Sequence, residues 1–191
     1  MDIKIKTGQI LNRFLDGFNL EIIKTHPKEA IKFAKKYFQG KEIIAAEIGV
    51  FYGTNAYYMN KLLNIKKFYL IDSYSKYAEY KEQETLPLLE RAKSNAHRIN
   101  NKGNEIWIEY NSEEAILKIP MIDFLYIDGN HEYSFVKKDL ELYWKRINTG
   151  GIISGHDIQY EEVSKAVLEF AFKNKLNISF GDRRDWWIVK C

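Results

Sequence analysis

Two short segments gather residue types that do chemistry. The first, Asp123 to Tyr133, runs through an apolar stretch into Asp128, Gly129, Asn130 and His131. The second, Gly150 to Asp157, delivers His156 and Asp157 after an apolar stretch of its own. Carboxylates bind hard divalent cations, and imidazoles move protons near neutral pH. Asp128, His156 and Asp157 are therefore expected to converge on one divalent cation, with His131 beside it as a general base. Four ionisable groups in so small a space are expensive to bury without partners, which argues for a functional cluster over fold maintenance.

A third segment, Ala46 to Asn55, carries Glu47, Gly49, Tyr52 and Gly53. Glycines at these places let a ligand approach the backbone and open the next helix with exposed amides. The pattern is not the G-x-G-x-x-G of dinucleotide sites. A carboxylate at Glu47 would repel a diphosphate and suits a ligand bearing an ammonium group. Asp72, followed by Ser73, ends another apolar run. An acid there either accepts hydrogen bonds from ribose hydroxyls, as in doubly wound folds, or caps a turn. Asn111 and Ser112 stand where they could meet an adenine ring, or where Ser112 simply caps a helix.

These residues need elements to hold them. Short apolar runs at Glu42 to Ile48, Phe68 to Ile71, Glu105 to Tyr110, Ile122 to Ile127 and Gly151 to Ser154 read as strands. Amphipathic segments near Thr54 to Leu63, Leu86 to Ile99, Ser112 to Leu117 and Tyr133 to Arg146 read as helices between them. Two more helices are expected at Pro27 to Gln39 and Tyr160 to Lys173. The chain ends in a hairpin, Leu176 to Phe180 with Trp186 to Val189. Alternating strands and helices give an α/β fold with a doubly wound parallel sheet, whose binding crevice lies at the carboxyl ends of the strands.

Composition sets the outer limits. The 191 residues are 46% hydrophobic and 29% charged, with a formal net charge of +3. That suits one domain. No apolar run reaches the ~20 residues that span a bilayer, and the N-terminus lacks the apolar core of a signal peptide, so a cytoplasmic protein is expected. The single cysteine, Cys191, rules out an internal disulfide framework and a cysteine zinc site. Residues 1–41 hold nine Lys and Arg against four Asp and Glu, leaving 20 and 22 in the remainder. The basic excess therefore belongs to an expected N-terminal helical extension, residues 1–40, set apart from a main domain of residues 41–191. The balance points to an anionic acceptor and not to nucleic acid.

Taken together, Glu47, Gly49 and Gly53, Asp72, and Asp128 resemble the motifs of the class I S-adenosylmethionine-dependent methyltransferases. The tract Asp123 to Tyr133 with Gly150 to Asp157 is similar to a subgroup that includes macrocin O-methyltransferase and the cephalosporin hydroxylase-like proteins. The resemblance covers roughly residues 41 to 190. It implies a Rossmann-like sheet of order 3-2-1-4-5-7-6 with strand 7 antiparallel, and S-adenosylmethionine as cofactor. It further implies a hydroxyl acceptor on a small molecule or sugar. By the resemblance Glu47, Gly49, Gly53, Asp72 and Asp128 bind the cofactor, and Tyr52, Ser73, Asn111 and Ser112 beside them complete the expected set. By position, Asp128, His156 and Asp157 take the Mg²⁺ places of related metal-dependent enzymes, and His131 the base place. Histidine is an uncommon Mg²⁺ ligand, so another divalent ion also fits.

A rival from another class is a methyltransferase-like module that binds a glycan or nucleic acid without catalysis; retention of the ionisable cluster argues against it. Tyr74, Tyr77 and Tyr80 are candidates for an aromatic wall around a sugar, or for core packing. Trp186 and Trp187 alternate, so one faces the core and the other faces solvent or a second subunit of a homo-oligomer.

Overall fold

The computed structural model describes residues 26–74, 85–97, 103–182 and 184–191. The elements follow the expected alternation: α1 (Glu29–Phe38), β1 (Ile43–Ile48), α2 (Thr54–Leu62), β2 (Ile65–Ile71), α3 (Thr85–His97), β3 (Glu105–Ile108), α4 (Ser112–Ala115), β4 (Ile122–Ile127), α5 (Tyr133–Tyr143), β5 (Ile147–Gly155), α6 (Glu161–Lys173), β6 (Ile178–Phe180) and β7 (Trp186–Val189). Single 3₁₀ turns extend α4 and α5.

The seven strands form one sheet in the order β3-β2-β1-β4-β5-β7-β6. β1 to β5 pair in parallel, and β7 runs antiparallel to both β5 and β6. Side chains alternate between the two faces of a strand. In β1, Ala45 accordingly joins a core with α1, α2 and α3, built on Ile31, Met59, Ala92, Phe124 and Tyr126. Its neighbours Ala46 and Ile48 join the opposite core with α5 and α6, built on Leu140, Tyr143, Val167 and Phe170. Crossover helices thus cover both faces of the parallel strands, as a doubly wound topology requires.

Two strands are longer than their apolar runs. β2 begins at Ile65, which pairs with Ile43; Lys66 and Lys67 are exposed, and the register shifts past Lys66 before Lys67 pairs with Ile44. β5 begins at Ile147, through Asn148, Thr149 and Gly150, which look like a turn. The register between β4 and β5 shifts here, and Asp123 steadies the irregularity by accepting from Asn148 Nδ2 and the Ile44 amide, each at 2.9 Å.

The helix α1 is an integral part of the core. Ala30, Ile31, Ala34 and Phe38 are buried, a spacing that places them on one face. Phe33 stacks on Trp187 with ring centroids 5.0 Å apart. Trp186 is fully buried, so the tryptophan pair is covered on one side by the core and on the other by α1. Residues 1–25 of the expected extension lie outside the described residues. Among the described residues, no helix is long and apolar enough to cross a membrane.

Candidate active site at the carboxyl ends of the strands

The loops after β1, β2, β3 and β4 open into one cavity of about 1610 Å³. That exceeds the ~300–1,000 Å³ of an ordinary ligand pocket, leaving room for two ligands side by side. Glu47, Gly49, Tyr52, Asp72, Ser73, Asn111, Ser112, Asp128 and His131 all line it. Gly53, His156 and Asp157 stand behind the wall.

Glu47 ends β1 and is 1% exposed. Its Oε1 accepts from Asn55 Nδ2 at 3.0 Å, while Oε2 is buried with no hydrogen-bond partner among the described residues. Burial pushes the carboxyl well above its usual range, opposed by the Asn55 bond and reinforced by the charges of Asp128 and Asp72. A buried acceptor atom left unsatisfied at a cavity wall is the feature that a cationic ligand group would complete.

The two glycines serve packing as much as access. A Cβ on Gly49 would lie 2.2 Å from the Asp128 carbonyl oxygen, and one on Gly53 would lie 2.6 Å from that of Ala92. Both also have positive φ, at 82° and 71°. Gly49 therefore brings β1 and β4 together at the site, and Gly53 seats α2 against α3.

Asp72 follows directly on β2. It lines the cavity, and it also holds backbone: Oδ2 accepts from the Phe51 amide and Oδ1 from the Tyr74 amide, each at 2.9 Å. Burial raises its carboxyl, and these amide bonds offset the rise. Phe51 and Tyr74 are both left-handed, with φ of 48° and 44°, an uncommon conformation for bulky residues. The Tyr74 hydroxyl donates to the Phe51 carbonyl at 3.2 Å. Tyr74 is thus a buried brace and not part of an aromatic wall, and Tyr77 and Tyr80 lie outside the described residues.

Beyond β3, the helix cap is Asn111, not Ser112. Asn111 Oδ1 accepts from the Glu114 amide at 2.8 Å, and Ser112 Oγ instead meets Asp139 Oδ1 at 2.5 Å.

The four ionisable groups after β4 and β5 do come together, but with a different division of labour from the expected one. His131 Nε2 and His156 Nδ1 flank the same oxygen, Asp157 Oδ2, at 2.9 and 3.0 Å. His156 Nδ1 is also 3.7 Å from Asp128 Oδ1. The donors that could hold one metal ion, within 4.8 Å of one another, are those of Asp128, His131 and Asp157. His156 lies one layer back, its Nε2 being 3.8 Å from Asp185 Oδ1. Burial alone would raise the Asp157 carboxyl, but hydrogen bonds from His131, His156 and Gln159 hold it far below the usual carboxylate range. Burial raises Asp128, while the charges of Lys28 and His156 draw it down.

Three contributors escaped the sequence reading. Lys28, just before α1, lines the cavity and places a cation near the carboxylates. Asp185, fully buried, accepts from the Ala30 amide at 2.9 Å and the Tyr126 hydroxyl at 3.1 Å. It sits in what reads as a hairpin turn, and nothing local marks it. Asp139, on α5, has the signature of an acid on a buried helix face, between Val136 and Leu140.

Residues 46–158 match the family model Methyltransf_24, described as a methyltransferase domain. The chain is 31% identical over 151 residues to the uncharacterized protein R132 of Acanthamoeba polyphaga mimivirus. That match covers 75% of this chain and 64% of the relative, so the chain spans less than two thirds of the relative's length. Its structure is similar to that of the O-methyltransferase NovP, with a TM-score of 0.65 and 15% identity over 85% of this chain and 78% of that one. It is also similar to the O-methyltransferase TomG from Streptomyces achromogenes in complex with SAM, with a TM-score of 0.64 and 10% identity over 100% and 91%. A precorrin 8w decarboxylase from Methanobacterium thermoautotrophicum gives a TM-score of 0.62 and 17% identity over 86% and 90%. At these identities the structural likeness establishes the fold. With well over half of its residues matched in sequence, the chain belongs to the Methyltransf_24 family of methyltransferase domains.

Proposed function

We propose that the protein transfers the methyl group of S-adenosylmethionine to a hydroxyl of a small molecule or sugar. The observation that carries this reading is the buried, unpartnered Glu47 Oε2 at one wall of a cavity whose other wall presents Asp128 and His131. Glu47 would take the ammonium of the methionine part, Asp72 the ribose hydroxyls, and Asn111 and Ser112 the adenine edge. When bound, S-adenosylmethionine supplies a methyl group already activated by its sulfonium.

The chain's own task is then alignment and activation of the acceptor. Alignment of two reactants is worth up to ~7–11 kcal/mol in favourable intramolecular cases. His131, steadied by Asp157, accepts the hydroxyl proton as the methyl is displaced onto oxygen. Two carboxylates and an imidazole also form a donor set for a divalent cation. In the metal-bound alternative Asp128, His131 and Asp157 would hold it, its charge would acidify an acceptor hydroxyl, and His131 would serve as a ligand in place of the base. Lys28 supports an acceptor that carries negative charge.

The test is mass spectrometry of hydroxylated metabolites incubated with protein and S-adenosylmethionine, with and without chelator. A gain of one methyl supports the reading. Turnover lost on chelation assigns activation to the cation, and turnover that survives chelation but not His131→Ala assigns it to His131 as base. Absence of S-adenosylhomocysteine binding, with a steep salt-dependent affinity for nucleic acid in its place, would favour the non-catalytic binding module instead.

A further inference from the structure

Asn111 and Ser112, at the cavity end beyond β3, present hydrogen-bonding atoms of fixed and opposite polarity. Ser112 Oγ lies 2.5 Å from Asp139 Oδ1, and the Ser112 carbonyl accepts from the Tyr143 hydroxyl at 2.8 Å. Asp139 is 5% exposed, and both Ser112 and Asp139 line the cavity. A hydroxyl has one proton and two lone pairs, and an ionised carboxylate accepts only. Asp139 therefore takes the Ser112 proton, and Ser112 Oγ has lone pairs alone left for a ligand. Asn111 is fixed the other way. Its Oδ1 is occupied by the Glu114 amide, which leaves the Nδ2 donors for the ligand.

An acceptor beside a donor complements the edge of a 6-aminopurine, whose exocyclic amino group donates and whose N1 accepts. It opposes the edge of a 6-oxopurine, where both signs are reversed. We infer that Asp139 is a positioning residue for purine selection: by holding the Ser112 proton it makes this end of the cavity accept an amino group and reject a carbonyl. The inference rests on the S-adenosylmethionine reading and names how that ligand's base is chosen.

The groups facing Asp139 are Ser112 and Glu113 from α4 and Lys138 and Tyr143 from its own helix, with Lys138 Nζ paired to Glu113 Oε2 at 2.5 Å. Burial, partly opposed by the Ser112 bond and the Lys138 charge, pushes the Asp139 carboxyl up to about 6. Above that pH the carboxylate only accepts. Below it, the protonated carboxyl can donate to Ser112 and free the hydroxyl proton.

Calorimetric titration of the full chain with S-adenosylhomocysteine and with S-inosylhomocysteine tests this. At about pH 7.5 the wild type should bind the adenosyl ligand at least ~10-fold more tightly, the cost of a mismatched buried donor and acceptor. The preference should shrink at about pH 5.5. Asp139→Leu removes the buried acceptor, frees the Ser112 hydroxyl proton and should shrink the preference at least ~3-fold, what remains being set by Asn111. Ser112→Ala, which removes the hydroxyl without disturbing Asn111, should do the same. Equal wild-type affinities, tighter binding of the inosyl ligand, or a wild-type ratio in a folded Asp139→Leu protein each overturns the role of Asp139 while leaving the cofactor reading intact. Binding of neither ligand by the wild type overturns both.

Discussion

His131 Nε2 and Asp157 Oδ2 lie 2.9 Å apart, tying the loop after β4 to the loop after β5 through one contact. Asp157 itself is left-handed, with φ of 58°, and its second oxygen accepts from Gln159 Nε2 at 2.7 Å. The carboxylate is thus held from three sides, and the imidazole it orients faces the cavity.

Loss of the activating groups should be felt in turnover and not in cofactor affinity. His131→Ala and Asp128→Ala are each expected to lower turnover at least ~100-fold, the scale of a lost general base. For His131→Ala, S-adenosylhomocysteine affinity should stay within ~3-fold of wild type. Wild-type turnover in both variants would remove the assignment.

A cation at Asp128, His131 and Asp157 should stabilise the folded protein by mass action. Thermal melts with Mg²⁺, Mn²⁺ or Zn²⁺ in excess are expected to show an upward shift for at least one ion. Asp157→Asn should abolish that shift. Melts insensitive to all three ions would leave His131 to act alone.

Asp72 joins two roles in one side chain, so Asp72→Ala should show two losses. S-adenosylhomocysteine affinity is expected to fall at least ~10-fold. The fold should lose about 1.5–3 kcal/mol, because the Phe51 and Tyr74 amides bond a charged acceptor. Unchanged affinity in the presence of a destabilised fold would reduce Asp72 to a structural clamp.

Asp185→Ala leaves the Ala30 amide and the Tyr126 hydroxyl without their buried acceptor. Each of the two unsatisfied groups costs about 1–3 kcal/mol, so urea denaturation should show a loss of about 2–6 kcal/mol. A loss below about 1 kcal/mol would mean that Asp185 does not anchor α1.

Asp139 should leave a signature in the pH dependence of stability. Burial raises its carboxyl in the folded protein from the ordinary aspartate value near 4 to about 6. Between those values the folded state binds a proton that the unfolded state has released. Stability therefore falls as pH rises from about 4 to 6, and the accumulated cost at pH 7 is about 3 kcal/mol. Denaturation of the apo protein at pH 5 and pH 8 should give a difference that Asp139→Asn reduces. An identical difference in the variant would show that the carboxyl ionises freely.

Much of the fold is legible in the chain because it is written in local periodicity. The apolar runs at Ile122 to Ile127 and the helix from Thr54 follow from side-chain alternation and helical spacing, which depend on near neighbours. Errors fall where local signals compete with pairing. Asn148 to Gly150 look like a turn, yet they lie within β5, and the polar Lys66 and Lys67 precede the apolar run, yet they lie within β2.

The sequence by itself determined which residue types reach the strand tips, because each follows an apolar strand whose end faces the crevice. Glu47, Asp72, Asp128 and His131 around one cavity are consequences of that rule. Tertiary structure alone decided who pairs with whom. That His131 and His156 share Asp157, that Ser112 gives its proton to Asp139, and that Asp185 caps a helix 155 residues away are matters of register and helix packing. Hydrogen bonds form or fail within a few tenths of an ångström, and no spacing along the chain specifies a distance that finely.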